Sequence, residues 1–177
     1  MRLFTWEPDW EEPGHLKLAW DTKVQESLTT RECRFAQAPR ARVTVKSHYR
    51  VFDADELQAL KLWLIQSRDE HVVFPVWPRQ AEVVAVDSPT QVRVNRSSMF
   101  AGRRAIFWRD WRYAEASRVL TAESGVLTLE TALTLGWQAG DLVVVGIAGT
   151  VVESPEAAQA TDELFDGDIT FAESYDV

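Results

Sequence analysis

Arg31, Arg34, Arg40 and Arg42 crowd one short stretch of a chain whose formal net charge is -8. A guanidinium is a planar fork that holds a carboxylate through two parallel N–H bonds, so a row of them is chemistry aimed at acids. The residues between them alternate as a β-strand does. Cys33 and Phe35 face one way, Glu32 and Arg34 the other. Beyond Pro39, Ala41, Val43 and Val45 share one side, and Arg40, Arg42 and Thr44 the other. Proline cannot donate to a sheet ladder, so Pro39 marks an edge, a bulge or a joint between two strands. The apolar face is expected on a core. The arginine face is offered either to a partner or to cross-strand acids of its own sheet.

A second group is Trp108, Arg109, Trp111 and Arg112, within FWRDWRY at 107–113. Aromatics mixed with arginine are the composition of protein interfaces. They also suit a sugar-stacking platform, in which Trp108, Trp111 and Trp137 would serve. Acids complete the picture. Eight of the 27 acids and none of the 19 bases lie in residues 153–177, so the rest of the chain is formally neutral. Glu153, Glu156, Asp162 and Glu163 are expected to face a partner, while Phe165, Ile169 and Phe171 anchor the segment in a sheet. The stretch Arg93 to Arg118, with seven arginines against Asp110 and Glu115, is the basic face they fit. The plainer reading of the acidic end is a solvated segment that serves solubility.

Catalytic motifs are missing from the sequence. There is no G-x-S-x-G, H-E-x-x-H, phosphate loop or paired C-x-x-C, and His15, His48 and His71 lack ligand spacing. Cys33 is read as a small buried hydrophobe. A non-enzyme without cofactor or metal is expected. Nucleic acid is disfavoured because the chain has no basic excess. No apolar run approaches the roughly 20 residues of a membrane helix. The N-terminus lacks a signal peptide's apolar core, so folding in a reducing cytoplasm is expected.

The elements that position these groups read as mainly β. HLKLAW at 15–20 alternates, 22–30 is β-compatible, and the arginine strand runs to about Val51. One helix spans 53–68, capped by Asp53 with Glu56 three residues on, and buries Leu57, Leu60 and Leu64, flanked by Trp63 and Ile65. HVVFPVWP follows as an apolar strand buried on both faces and ended by Pro75 and Pro78. From Ala81 the chain forms short strands. VVAVDSPTQVRV and RVLTAESGVLTL are hairpins, each followed by a loop, an aromatic, a glycine and a third strand (FAGRRAIFW, WQAGDLVVV). The offset of about 36 to 38 residues marks two copies of one unit, paired as a small barrel or sandwich. In FDGDITF, Asp166 and Gly167 are expected to turn before a last strand that returns to the first sheet. The division is therefore 1–80 completed by 151–177, with 81–150 as an inserted β-module.

Taken together, Pro8-Asp9-Trp10, Trp20-Asp21-Thr22-x-Val24, Ser27, Arg31-Glu32-x-Arg34-x-x-x-x-Pro39-Arg40, the single helix, Phe74-Pro-x-Trp77 and Gly140-Asp-x-Val143 form a pattern. It resembles the distal-tail and minor tail-tip proteins of long-tailed bacteriophages. The family carries a glycine before its Glu-x-Arg, where this chain has Thr30 and Arg31. The resemblance implies a split β-barrel with one helix, an inserted β-module, and a homo-oligomeric ring between the tail tube and the tail-tip hub proteins. It implies a place in the virion tail after synthesis in the host cytoplasm. In such a ring the arginine strand would meet acids of the next subunit. A carbohydrate- or receptor-binding β-module is the alternative.

Overall fold

The computed structural model describes residues 1–20, 22–26, 32–36, 41–68, 70–154 and 164–174, with the strand path alone for 22–26 and 32–36. Arg31, Arg40, Glu156, Asp162 and Glu163 lie outside the described residues, as does the side chain of Arg34.

The chain is mainly β, with a single α-helix among the described residues. Strands β1 (Arg2–Leu3) and β2 (His15–Ala19) come first, then β3 (Thr22–Glu26) and β4 (Glu32–Ala36). Strand β5 (Arg42–Val51) leads into α1 (Ala54–Gln66), and β6 (Val72–Ser88) follows. The remaining strands are β7 (Gln91–Val94), β8 (Arg104–Trp108), β9 (Ala114–Glu123), β10 (Val126–Leu129), β11 (Leu142–Glu153) and β12 (Phe165–Glu173). Ten of them form one sheet in the order β1-β6-β7-β10-β9-β8-β11-β12-β5-β2. The arginine stretch is divided. Strand β4 pairs with β3 in a separate ribbon, Arg34 opposite Val24, whereas β5 begins at Arg42 and joins the large sheet.

Two long strands, β6 and β11, organise the rest, and both pass uninterrupted through the expected module edges at 81 and 150. Pro75 and Pro78 do not end β6. Pro75 sits opposite Gly146, and Pro78 falls where the ladder slips, Val76 pairing with Val145 and Gln80 with Val144. A residue without an N–H is tolerated at such a bulge because no ladder bond is asked of it. Val72 to Trp77 are buried on both faces, as a strand packed on two sides must be.

The ladder also closes on itself: β6–β7–β10–β9–β8–β11, and β11 back onto β6. This cycle holds two copies of one unit. Val83 N–H donates to Asp141 O at 2.8 Å just as Val119 N–H donates to Arg103 O at 2.9 Å. Asn95 N–H reaches Glu82 O as Glu130 N–H reaches Arg118 O. The β7–β10 ladder is symmetric about Val92/Leu127, and β8–β11 about Ile106/Val144. In each unit a turn enters the third strand, Arg103 N–H to Phe100 O and Asp141 N–H to Gln138 O. Gly102 (φ 66°) and Gly140 (φ 93°) sit at its third position, a left-handed conformation that glycine adopts without steric penalty. Val83, Val92, Val94, Phe107, Val119, Leu127, Leu129, Val143 and Val145 are all buried, alternate residues of successive strands turned to one interior.

The first parts of β6 and the last of β11 continue into the sheet with β1, β12, β5 and β2, which α1 covers. Asp53 caps the helix by accepting from Glu56 N–H at 2.9 Å. Its buried stripe is Leu57, Leu60 and Trp63, each fully buried leucine contributing roughly 1.5–3 kcal/mol. Leu64 is half-buried. Ile65 is 64% exposed, because one step beyond Leu64 turns it off the sheet-facing stripe. Trp63 donates its indole N–H to Leu3 O at 2.9 Å. Phe4 is ringed by Trp6, Tyr49, Trp63 and Phe171, with centroids 4.9–5.2 Å away. Phe165, Ile169 and Phe171 anchor β12 as expected. Asp166 and Gly167 do not turn ahead of that strand. They lie within it, opposite Arg50 and Tyr49.

Candidate interaction surfaces

The 108–113 stretch is committed to contacts within the chain. Trp108 ends β8 and donates its indole N–H to Thr5 O at 2.7 Å, while Thr5 Oγ1 donates to Trp111 O at 2.8 Å. Trp111 stacks on Trp6 at 6.2 Å, and the Arg112 guanidinium lies 4.6 Å from the Trp111 ring centre and 3.2 Å from Asp55. Arg109 grips Asp141 with two bonds, 2.9 and 2.6 Å, and reaches Gly136 O. Those bonds hold the Asp141 carboxyl below its ordinary range. Trp137 is buried, and its indole N–H donates to Glu115. Half-burial of Trp108 and Trp111 and burial of Trp137 leave no shared platform of open rings for a sugar. Trp108, Trp111 and Arg112 act first as struts that dock the 109–113 loop on the N-terminal segment and on α1, while Arg109 ties it to the loop before β11.

Glu115 is the residue that sequence reasoning passed over. Burial pushes its carboxyl up, but bonds from Trp137 Nε1, from Thr134 N–H and Oγ1–H, and from Leu135 N–H outweigh this and hold it low. One carboxylate thus orders the loop between β10 and β11.

On β5 and β12 the outward residues form a cross-strand ladder of charge. Lys46 meets Asp168 at 2.8 Å and Arg50 meets Asp166 at 3.2 Å and Asp9 at 3.0 Å. His48 stands between Asp166 and Asp168, 2.9 and 3.0 Å away. Hydrogen bonding from Lys46 holds Asp168 below the ordinary carboxylate range, against a smaller upward push from burial. Two acids of the C-terminal segment are therefore spent inside the sheet, as is the buried Glu173, which accepts from Arg103 at 2.7 Å and from Val43 N–H at 3.0 Å. Arg42 opens β5 at an exposed position, and Glu153, also exposed, accepts from Thr170. Among the described residues no three His, Cys, Asp or Glu side chains gather as metal ligands, and no helix is long and apolar enough to cross a membrane.

What stays open is an edge. Strand β2 ends the sheet order, its free side unpaired among the described residues. Leu16 and Leu18 lie opposite the buried Val45 and Val43, yet are 40% and 54% exposed, and Trp20 beyond them is 61% exposed. Beside them, Pro8, Trp10, Leu16, Val76 and Trp77 line a small apolar cavity of about 180 Å³. Nothing in composition separates this strand from an ordinary alternating one. The signal available in the sequence was HLKLAW followed by polar residues, with no second apolar strand to cover it.

Searches against protein-family models and against curated proteins found no match for this chain.

Proposed function

We propose that the chain is a structural subunit of a bacteriophage tail tip or baseplate, assembling as a ring or adaptor between the tail tube and the tip proteins. The observation that carries this reading is the β2 edge. A strand whose core-side leucines and following tryptophan face water, and whose outer backbone edge is unpaired among the described residues, is a template for a neighbouring chain. A head-to-tail contact through such an edge closes into a ring when its rotation divides the circle. The mainly β architecture with one helix, and the residue pattern from Pro8 to Val143, agree with that assembly. The six-strand closed module would project from the ring as a barrel-like appendage.

The test is assembly of the full chain. Negative-stain images and sedimentation should show rings, and Leu18→Glu with Trp20→Glu should give folded monomers with unchanged circular dichroism. In phage particles carrying this protein, immunogold label should sit at the tail tip. A chain that stays monomeric at high concentration, or label confined to heads, overturns the reading.

A further inference from the structure

The two units of the closed cycle share backbone register but differ sharply in one outward pair. Arg104 on β8 lies directly opposite Arg118 on β9. The corresponding pair in the other unit is Leu142 opposite Glu82. The fold therefore does not require arginine at either place. Like charges directly opposite on antiparallel strands are destabilising, since their Cβ atoms are only about 5 Å apart. Neither guanidinium has an ion pair or hydrogen bond among the described residues, in contrast to Arg93, Arg103, Arg109 and Arg112.

The pair opens onto a polar pocket of about 440 Å³, whose other walls include Arg103, Glu130, Gly146 and Glu173. Arg103 is already matched by the buried Glu173, so Arg104 and Arg118 face Glu130 with charge to spare. Gly146, opposite Arg104 on β11, is where the side chains of Ile106 and Val73 pack down onto the backbone beside the pocket. A Cβ there would stand 2.9 Å from Ile106 and 3.2 Å from Val73. Two forks side by side on one wall of the pocket suit planar, bidentate anions.

We infer that this pocket is a carboxylate receptor, and that its occupant is the acidic segment of a second copy of the chain, beginning at Glu153. The self-assembly reading above supplies the source of the acids, and charge complementarity supplies the choice. The segment from 153 holds the whole net charge, Glu153 and Ser154 at its start are exposed, and 153–163 contains four acids and no base. Two charge-assisted forks on one segment fix register as well as strength.

A labelled peptide of residues 153–163 titrated into the full chain, followed by fluorescence anisotropy, tests this directly. Saturable binding is expected, weakened about tenfold or more by Arg104→Ala with Arg118→Ala and weakening as salt rises. Arg93→Ala, whose guanidinium is held by Asp87, should change nothing. The same peptide with Glu and Asp replaced by Gln and Asn should not bind. Thermal melts check folding, and Arg118→Gln alone should give an intermediate loss if the double variant melts early. Absence of peptide binding, binding indifferent to the arginine changes, or binding of inorganic phosphate in place of the peptide each overturns the inference. The titration reads the pocket in monomers or rings alike, so a failure of peptide binding is distinguishable from a failure of ring assembly.

Discussion

The two units of the closed cycle share one ladder pattern but fill their common interior differently. In the first, Phe107 fills the position that Val145 fills in the second, and Val92 faces Leu127 across the pseudo-axis. Their hairpin tips also differ. The first turns through Pro89 and Thr90 with no left-handed residue, the second through Ser124 and Gly125, both left-handed at φ 51° and 82°. Their loops are held by different means, Asn95 and Ser97 in the first and Glu115 in the second. Backbone register is thus set by alternation and by the two glycine turns, while volume, tip and loop chemistry vary freely around it.

The steepest test is of the interior. Phe107→Ala should cost about 3–5 kcal/mol, since it removes a fully buried ring. Val145→Ala at the matching place should stay within about 0.5–3 kcal/mol. Denaturant midpoints compare the two, and equal losses would show that the units share their core load more evenly than their volumes suggest.

Next comes the loop carboxylate. Glu115→Gln should lose about 1.5–3 kcal/mol at neutral pH, the range for hydrogen bonds to a charged group. The folded state holds this carboxyl low, so its contribution is full above the unfolded value of about 4.3 and fades as pH falls through the lower folded value. Wild type and variant should therefore converge in acid. A gap that persists at pH 2 would assign the loss to packing rather than charge.

The smallest effect belongs to the tips. Gly125→Ala places a side chain in the left-handed region and should cost about 1–2 kcal/mol. Thr90→Ala, with no such backbone demand, should change stability by roughly half a kilocalorie or less. Thermal melts of the pair measure the difference directly.

Much of this was legible in the chain. The repeat could be read because Ala-Gly recurs in FAGRR and QAGDL at matching places, and because valine alternation is local. The helix cap and its leucine stripe were legible for the same reason. The two prolines misled, since Pro75's place opposite Gly146 and the bulge at Pro78 both depend on the register of β11, which lies far along the chain. Asp166-Gly167 read as a turn because that dipeptide favours one locally, but pairing with Arg50 and Tyr49 overrode the preference. The internal ion pairs of Arg109 and Arg112 could not be read from the sequence because their partners, Asp141 and Asp55, are remote in it. The Arg104/Arg118 pair was hidden inside a general count of arginines. Only pairing of β8 with β9 puts them face to face.

The β6–β11 ladder has a kinetic meaning. Hairpins β6–β7 and β9–β10 join neighbours in the chain and form on the scale of microseconds. The ladder that closes the cycle joins residues as distant as Val72 and Gly149. Loop entropy must be spent before that pairing returns anything, which makes it a late and slow event. Until it forms, the Val72 to Trp77 part of β6 has only β1 to pair with, at Val72 and Val73, and a chain emerging during synthesis carries Phe74 to Val76 without their β11 partners until residues 145–147 have been made.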